Sequence, residues 1–303
     1  MSGTALVVGE SLVDLVRGSD GSTTEFPGGS AANVAVALAR LGREVQFATS
    51  WGDDERGRVL AERLQRDGVA LASDPHAVTR TSTALATIGS DGAASYEFDL
   101  AWRLNPVMTG LDARVVHTCS LGAVLSPGAE DVLALLAQLR DSATISYDVN
   151  VRPAITGTGP DLVARVEAVA ALSHLVKASD EDLLALYGGA DPITGAKRLL
   201  TLGPHVVVVT RGQDGATWLT DSQETDVASV PVVVADTIGA GDTFCAAVID
   251  ALWDRDLLGT SRREQLAAVH RDTVVSVLAH AARAASITVG RPGADPPRRS
   301  ELA

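Results

Sequence analysis

Short apolar runs alternate with amphipathic stretches along most of the chain. Apolar residues at three- and four-residue spacing predict helices over residues 31–41, 55–67, 128–140, 161–172, 181–187, 193–202, 243–253 and 265–285. Between them, short apolar runs predict strands at Ala5–Gly9, Val45–Ser50, Val115–Cys119, Ile145–Asp148, Leu175–Lys177 and Val206–Thr210. This order is typical of a doubly wound, mostly parallel α/β sheet with helices on both faces. Ligands of such sheets bind beyond the C-terminal ends of the strands.

Two segments interrupt this alternation with a different pattern. Residues 12–17 and 22–26 flank a Gly-Ser-Asp-Gly turn, and residues 84–88 and 95–99 flank the same turn sequence. Apolar alternation around such a turn predicts a β-hairpin, and neither hairpin is large enough to be stable alone. Near the C-terminus, the sequence from Pro292 onward predicts a solvated tail.

Composition limits the classes of partner. The 303 residues carry a net charge of −13, which argues against nucleic acid or an anionic membrane surface as a partner. No signal-peptide pattern is visible, and no stretch approaches the ~18 apolar residues of a membrane span, so the sequence predicts a cytoplasmic protein. Cys119 and Cys245 stand in no metal-ligand or pair spacing, which favours small core residues over reactive thiols.

The segment DTIGAGDTFCAA at 236–247 carries the clearest chemistry. Gly239, Ala240 and Gly241 form a flexible turn before an apolar helix, where backbone N–H groups and the helix dipole favour a bound phosphate. A carboxylate beside a bound anion is unfavourable unless it has a function there. The function predicted for Asp242 is to remove a proton from the hydroxyl that attacks phosphorus. Alternatively, Asp242 only complements the helix dipole and the glycines only make a tight turn.

A second segment, GGSAANVAVALARLG at 28–42, favours the phosphoryl-transfer interpretation. Gly28 and Gly29 lead into a helix with Asn33 in its first turn, where the amide can bind a polyhydroxyl ligand. Together the two segments resemble the signature regions of the PfkB family of carbohydrate kinases, which have the ribokinase-like fold. The resemblance extends from VVGESLVDL at 7–15 to RPGA at 291–294.

Other phosphate-binding and nucleophile motifs are incomplete. The sequence has no GxxxxGK[ST] loop and no GxGxxG after a strand, so neither a P-loop enzyme nor a dinucleotide-binding dehydrogenase is favoured. Gly9-Glu10-Ser11 lacks the closing glycine of GxSxG. His117 ends a predicted strand, and we interpret it as a core histidine.

The resemblance implies a domain organisation and a sugar pocket. Residues 12–26 and 81–104 become a small β lid over the sugar, and residues 1–11, 27–80 and 105–303 form the α/β core. The substrate-binding positions that match the family are Asp14, Gly28, Gly29, Asn33, Phe98, Arg103 and Arg152, the last within the stretch DVNVR at 148–152. The alternatives are a polar residue on a lid strand for Asp14, ordinary lid packing for Phe98 and Arg103, and an exposed loop for Arg152.

The resemblance also implies a nucleotide site and its cations. Lys177, Ser179, Thr210, Gly212 and Gly215 match positions beside the nucleotide. Asp236 corresponds to a monovalent-cation site that would take K⁺, and Asp182 to an acid that reaches Mg²⁺ through water. Ser179 and Asp182 depart from the family's Asn and Glu, and their spacing also fits a helix capping box. Asp236, likewise, could only hold the phosphate turn in shape.

The function implied is an ATP-dependent sugar kinase, most like a fructokinase, that uses Mg²⁺ and transfers phosphate to a primary hydroxyl. Alternative substrates on the same fold are 2-keto-3-deoxygluconate, ribose, a nucleoside or a phosphosugar. The alternative from another class is a non-catalytic sugar or nucleotide sensor. Because the lid hairpins have too little local core to bury their apolar residues, we also expect a homodimer that pairs through the lid.

Overall fold

The computed structural model of the chain describes residues 3–18, 21–88, 94–108, 110, 112–189 and 191–302. The predicted turn at 89–92 lies outside the described residues, as do residues 19 and 20 of the first turn. The strands are β1 Thr4–Val8, β2 Leu12–Arg17, β3 Thr23–Gly28, β4 Val45–Ala48, β5 Ala70–Leu71, β6 Ser82–Ile88, β7 Ala94–Asp99, β8 Ala113–Cys119, β9 Thr144–Asp148, β10 Leu175–Ser179, β11 Val206–Thr210, β12 Ala216–Leu219 and β13 Glu224–Val227. The α-helices are α1 Ser30–Arg40, α2 Glu55–Arg66, α3 Ser120–Val124, α4 Gly128–Leu139, α5 Pro153–Thr156, α6 Pro160–Leu172, α7 Asp180–Tyr187, α8 Pro192–Leu200, α9 Ala240–Asp254, α10 Arg263–Ala267 and α11 Arg271–Val289.

Nine strands form one large sheet in the order β13-β12-β11-β10-β9-β8-β1-β4-β5. All neighbours from β11 to β5 pair in parallel, and β12 and β13 extend the sheet as antiparallel strands at one edge. The C-terminal ends of β1, β8, β9, β10 and β11 therefore meet along one edge, where parallel α/β sheets place their ligands.

The large sheet is buried on both faces. On one face α1, α9 and α11 pack against residues such as Val7 and Val208, and on the other α4, α6 and α8 pack against Val8 and Val207. Valine-rich strands fit this position because their branched side chains pack well on a pleated surface covered from both sides.

The two predicted hairpins join into one four-stranded sheet of order β3-β2-β6-β7. β2 pairs with β6 in parallel, and the outer pairs are antiparallel. Val13 and Leu15 on one face of β2 belong to the main core, which fixes this small sheet beside α2. We call it the lid sheet; that it closes over a substrate remains a prediction.

Six predicted strands are present, and the differences elsewhere have local causes. The predicted helix at 265–285 is two helices, α10 and α11, because His270 caps α11 by accepting a hydrogen bond from the Asp272 N–H. The short elements β5, β12, β13, α3 and α5 were not predicted because few of their residues establish a periodicity.

The expectation of a solvated C-terminal tail is wrong. Pro296 and Pro297 are buried. The Arg299 guanidinium donates to the Leu41 carbonyl and ion-pairs with the buried Asp250. In the described part of the chain, no helix is long and apolar enough to cross a membrane.

Candidate active site

Asp242 lies in the first turn of α9, at the C-terminal edge of the large sheet, and is 7% exposed. The N-cap Gly239 has a φ of +74°, and a Cβ there would lie 2.7 Å from the Cβ of Ala294. Glycine is therefore required twice, by the left-handed backbone and by the close approach of the C-terminal segment. The N–H groups of Gly241 and Asp242 have no hydrogen-bond partner among the described residues, so they are available to an anion.

Both oxygens of Asp242 accept hydrogen bonds from the first turns of α1. Ser30 Oγ donates to Oδ1 at 2.6 Å, and Asn33 Nδ2 donates to Oδ2 at 2.8 Å. The structure thus brings the two signature segments together across more than 200 residues of sequence. Ser30 was not predicted as a site residue.

Each of those donors is oriented by hydrogen bonds that begin at an arginine. Arg152 donates to Asn150 Oδ1 at 2.6 Å, and Asn150 Nδ2 donates to Ser30 Oγ at 2.9 Å. On the other side, Arg63 donates to Asn33 Oδ1 at 3.0 Å. Because every hydrogen bond is donated toward the carboxylate, the network fixes the rotamer of Asp242.

Arg63 also joins three parts of the site. Besides Asn33, its guanidinium donates to the carbonyls of Pro27 and Ala294, at 2.7 and 3.3 Å. It therefore connects α2 with the glycine turn before α1 and with the segment behind Gly239. The sequence did not single it out.

Asp14 faces the same region from the lid sheet. A Cβ at position 28 would overlap its carboxylate, which explains the glycine there. Burial raises the pKa of Asp14 to about 6, and the charges of Arg63 and Arg152 oppose that rise. The carboxylate has no hydrogen-bond partner among the described residues, so it is available to a ligand.

The structure separates the two remaining lid predictions. Phe98 lies in one row of the lid sheet with Asp14, because Asp14 pairs with Ala84 and Ala84 pairs with Phe98. Paired residues share a face, so both side chains belong to one surface. Arg103 is exposed, and no hydrogen bond or ion pair links it to the site in the described part of the chain.

On the other side of Asp242, a cavity of about 600 Å³ opens between α9, α11 and the strands β11–β13. The predicted nucleotide residues Thr210, Gly212 and Gly215 line it, together with Ala240 and Gly241. We call residues 239–241, at the start of α9, the anion turn. Its apolar walls include Val230 and Val232, which lie in a loop and were not predicted as site residues. A volume of this size is in the ~300–1,000 Å³ range of small-molecule sites.

Residues 3–300 match the family described as pfkB family carbohydrate kinase. The chain belongs to this family. A fructokinase of Rhizobium leguminosarum bv. trifolii is 34% identical over 268 residues, which cover 84% of this chain and 81% of that protein. The ATP-bound fructokinase of Xylella fastidiosa is similar in structure, with a TM-score of 0.85 and 26% identity over 99% of this chain and 96% of that one. A Vibrio cholerae O395 fructokinase solved with fructose, ADP and a calcium ion has a TM-score of 0.79, 26% identity and the same coverage.

Membership confirms the ribokinase-like α/β fold and the carbohydrate kinase class inferred from the two signature segments. In this member, Lys177 lies under the anion turn: its Nζ is 3.1 Å from the point that a Cβ on Gly241 would occupy. The same Nζ is 3.1 Å from Asp148 Oδ2, and both residues are buried. Burial lowers the pKa of Lys177, but the nearby Asp148 and Asp182 together outweigh that effect, raise the pKa above its usual value and keep the amine charged. The turn is thus backed by a cation, which suits a phosphate above it.

The two predicted cation residues have structural partners. Asp182 forms a capping box with Ser179 and also accepts from the Val151 N–H at 2.9 Å. Asp236 accepts from the N–H groups of Ile238 and Gly293, at 3.0 and 2.8 Å, and so ties the anion turn to the C-terminal segment. No group of three or more His, Cys, Asp or Glu residues is arranged to hold a metal among the described residues.

Glu10 is a further residue at this site that was not predicted as a site residue. Its carboxylate accepts from the N–H groups of Ser30 and Gly122, at 3.2 and 2.6 Å. Burial raises its pKa to about 7, and the nearby charge of Asp242 adds to that rise. Glu10 therefore fixes the start of α1, from which Ser30 and Asn33 reach Asp242. Cys119, Cys245 and His117 are buried, in agreement with their core assignment.

Proposed function

We propose that this carbohydrate kinase transfers the γ-phosphate of ATP to a primary hydroxyl of fructose. The observation that carries the proposal is the position of Asp242, between the Asp14–Asn33 region on one side and the cavity lined by Thr210, Gly212 and Gly215 on the other. A base at that point can reach a hydroxyl that faces a phosphate. The fructokinases among its relatives support the same substrate and donor.

In this mechanism, Asp242 accepts the proton of the attacking hydroxyl as its oxygen bonds to the γ-phosphorus. The bond from that phosphorus to the bridging oxygen breaks at the same time, and ADP leaves. Ser30 and Asn33 hold the carboxylate in place, so little reorganisation is needed during the reaction. The free N–H groups of Gly241 and Asp242 stabilise negative charge on the transferred phosphoryl group, and Lys177 adds a positive charge beneath the turn. Closure of the lid sheet would exclude water, which otherwise competes as phosphate acceptor.

The residues present fit ATP better than they fit a dedicated metal cage. The cavity and the free N–H groups suit a nucleotide and its phosphates, whereas the carboxylates of Asp182 and Asp236 are engaged with backbone N–H groups. We therefore propose that Mg²⁺ is held chiefly by phosphate oxygens and water, with Asp182 reaching it through water, as Mg²⁺ usually keeps several waters. When bound, it neutralises charge on the phosphate oxygens. If a monovalent cation such as K⁺ binds, Asp236 and the loop around Gly293, after α11, would hold it.

A neutral sugar is favoured over an anionic one because a carboxylate faces the sugar side and the nearby guanidinium groups also serve protein acceptors. Arg152 donates to Asn150 and to the Val151 carbonyl, and Arg63 donates to three acceptors. An acid sugar or phosphosugar would also meet the Asp14 carboxylate, which is ionised above a pKa of about 6 and repels a second negative charge. The available Asp14 carboxylate instead suits the hydroxyls of a neutral ligand.

The decisive experiment is steady-state kinetics of the purified protein with fructose, ribose, 2-keto-3-deoxygluconate, fructose 6-phosphate and adenosine, with ATP as donor. We expect the highest kcat/KM with fructose. Preference for an anionic sugar would contradict the substrate argument, and preference for adenosine would place the protein among nucleoside kinases of the same fold. Binding of sugar and ATP without turnover of any of them would instead indicate a sensor.

A variant tests the role of the Arg152 chain in the same assay. We expect Arg152→Ala to raise the KM for fructose more than the KM for ATP, because Arg152 orients Asn150 and Ser30 on the sugar side of Asp242. The matched control is Arg198→Ala, which removes an exposed arginine paired with Glu167. Equal effects on both KM values would show that Arg152 does not act on the sugar side.

A further inference from the structure

Four basic side chains meet at the edge of the large sheet opposite the active site. Arg140 follows α4, Arg263 begins α10, and His174 and His205 precede β10 and β11. The strands between them and the active-site edge have five residues, so the two edges are about 16 Å apart at ~3.3 Å per residue. We call these four residues the basal cluster.

Backbone contacts hold the basal cluster together. Arg263 donates to the Arg140 carbonyl, and His174 Nδ1 accepts from the Ile145 N–H at 2.8 Å. The His205 N–H bonds the His174 carbonyl at 2.9 Å, and the two imidazole rings stack with their centroids 5.8 Å apart. The cluster is therefore a built arrangement rather than a set of mobile surface side chains.

The basal cluster presents donors without acceptors. The Nε atoms of Arg140 and Arg263 are buried and have no hydrogen-bond partner, and Arg140 forms no ion pair among the described residues. Because His174 Nδ1 accepts a bond, the proton of its neutral ring is on Nε2, which is a further donor. The acids at the rim are the exposed Asp141, 3.7 Å from Arg263, and Asp221 near His205.

This arrangement is unusual for the chain. Carboxylates are abundant at a net charge of −13, and other arginines such as Arg40, Arg43 and Arg114 each pair with one at close range. Burial, and then the charges of the two arginines, lower the pKa values of both histidines, so the rings are neutral near pH 7. The positive charge of the basal cluster therefore comes from its two guanidinium groups, and the rim acids are exposed, where solvent screens their charges. Two like charges in one place are stabilised by a dianion between them.

We propose that the basal cluster binds a phosphate group, free or as a monoester, at a site separate from the active site. A phosphate carries ≈ −1.5 to −2 charges at pH 7 and matches two guanidinium groups, whereas a single carboxylate would neutralise only one. The guanidinium fork and the His174 Nε2–H supply the directed donors that phosphate oxygens accept. This site goes beyond the proposed function and does not depend on the identity of the sugar.

The test is isothermal titration calorimetry of the full chain with inorganic phosphate and, separately, with glycerol 3-phosphate. ADP and fructose are present so that the active site is occupied, and sodium chloride matches the ionic strength. We expect saturable binding to the wild type and, in Arg140→Gln, binding weakened at least about tenfold, which corresponds to loss of one charge-assisted contact. A preference for one ligand identifies the source as free phosphate or a monoester.

Arg140→Gln is the cleanest variant because the Arg140 side chain makes no hydrogen bond in the described part of the chain, so its loss breaks none. Arg198→Gln, an exposed arginine elsewhere, is the control and should bind phosphate as the wild type does. In the wild type, phosphate should also shift the ring ¹⁵N signals of His174 and His205, a readout that needs no variant. Absence of saturation up to ~10 mM, or equal binding by Arg140→Gln, would overturn the proposal.

Discussion

At the scale of single residues, the chemistry depends on one carboxylate held by two donors. Ser30 and Asn33 occupy one position on each oxygen of Asp242, and each carboxylate oxygen has a second lone pair for a substrate hydroxyl. The anchors and the base are thus separate groups. Changing the base should therefore affect turnover more than binding.

We expect Asp242→Asn to lower turnover by at least ~10²-fold, the lower end of the contribution of a general base. Binding of sugar and ATP should stay within a few-fold, because an amide keeps the shape and can still accept one of the two hydrogen bonds. Turnover by stopped assay and binding by calorimetry measure both effects. Asp272→Asn, at an exposed position of α11, is the control, and near-wild-type turnover of Asp242→Asn would rule out its role as base.

The pH dependence of sugar use should report Asp14. Its pKa is raised to about 6 by burial, so it is ionised and accepts sugar hydroxyls above that value and loses this capacity as the pH falls through it. We expect kcat/KM for fructose to fall about tenfold per pH unit below pH 6, since one proton is taken up.

The variant Asp14→Asn separates this titration from that of Glu10, whose pKa is raised to about 7 and which the variant retains. Its kcat/KM for fructose should be low at every pH, without the acid limb near pH 6. An unchanged acid limb in Asp14→Asn would assign the titration to another group.

Sequence reasoning found the residues that lie inside contiguous motifs and missed those that depend on the fold. Gly239, Asp242 and Asn33 stand in recognisable local patterns. Arg63 and Asn33 are 30 residues apart, and no local pattern in α2 distinguishes Arg63 from Arg66. Arg103 is exposed and has no side-chain partner in the described part of the chain, and its contact with the substrate stays a prediction.

At the scale of elements, the site is assembled from the ends of α1, α2, α9 and the C-terminal segment. Arg63 joins α2 to β3 through Pro27, to α1 through Asn33 and to the C-terminal segment through Ala294. Its removal leaves three acceptors without their donor, and buried acceptors without partners are costly. Arg63 should therefore matter for both stability and activity.

We expect Arg63→Gln to lower the free energy of unfolding by about 2 kcal/mol, because a shorter amide cannot serve all three acceptors. The KM for fructose should rise more than the KM for ATP, since the Pro27 carbonyl and the Asn33 amide lie on the sugar side of the site. Urea unfolding and steady-state kinetics measure these quantities. The control is Arg66→Gln, one turn further along α2 at an exposed position. A wild-type KM for fructose in Arg63→Gln would exclude this positioning role.

Strand prediction succeeded where the physical signal was strong. Valine runs buried on both faces identified β1, β8 and β11, whereas β12 and β13 have four residues each and no clear alternation. The C-terminal sequence predicts a tail because prolines and arginines are usually exposed. Its docking depends on acids such as Asp250 and Asp254, which lie far away in sequence.

At the scale of the whole molecule, the lid sheet leaves one apolar face uncovered. Phe26 is 49% exposed and Tyr96 is 61% exposed, and both lie on the face that carries Asp14 and Phe98. Exposed apolar groups in a row across a small sheet favour contact with another surface. A second copy of the chain can supply that surface by a two-fold arrangement.

We therefore expect a homodimer, with twice the mass of one chain in light scattering at micromolar concentration. The double variant Phe26→Glu/Tyr96→Glu should be monomeric, because charges on this face oppose its burial. Val275→Glu, which changes an exposed apolar residue on α11 away from the lid sheet, should remain dimeric. A wild-type monomer, or a dimer that survives the double variant, would contradict pairing through the lid.

The contact between Gly239 and Ala294 has a consequence for the order in which function appears during synthesis. Residues 1–240 already contain the Gly28–Gly29 turn and all nine strands of the large sheet, yet the anion turn is packed only when Ala294 reaches Gly239 and the Gly293 N–H reaches Asp236. During synthesis, the residues that bind the sugar are therefore made well before those that pack the anion turn. A chain that ends before Gly293 therefore lacks the groups that pack the turn before α9, even though all of its sugar-binding residues have been made.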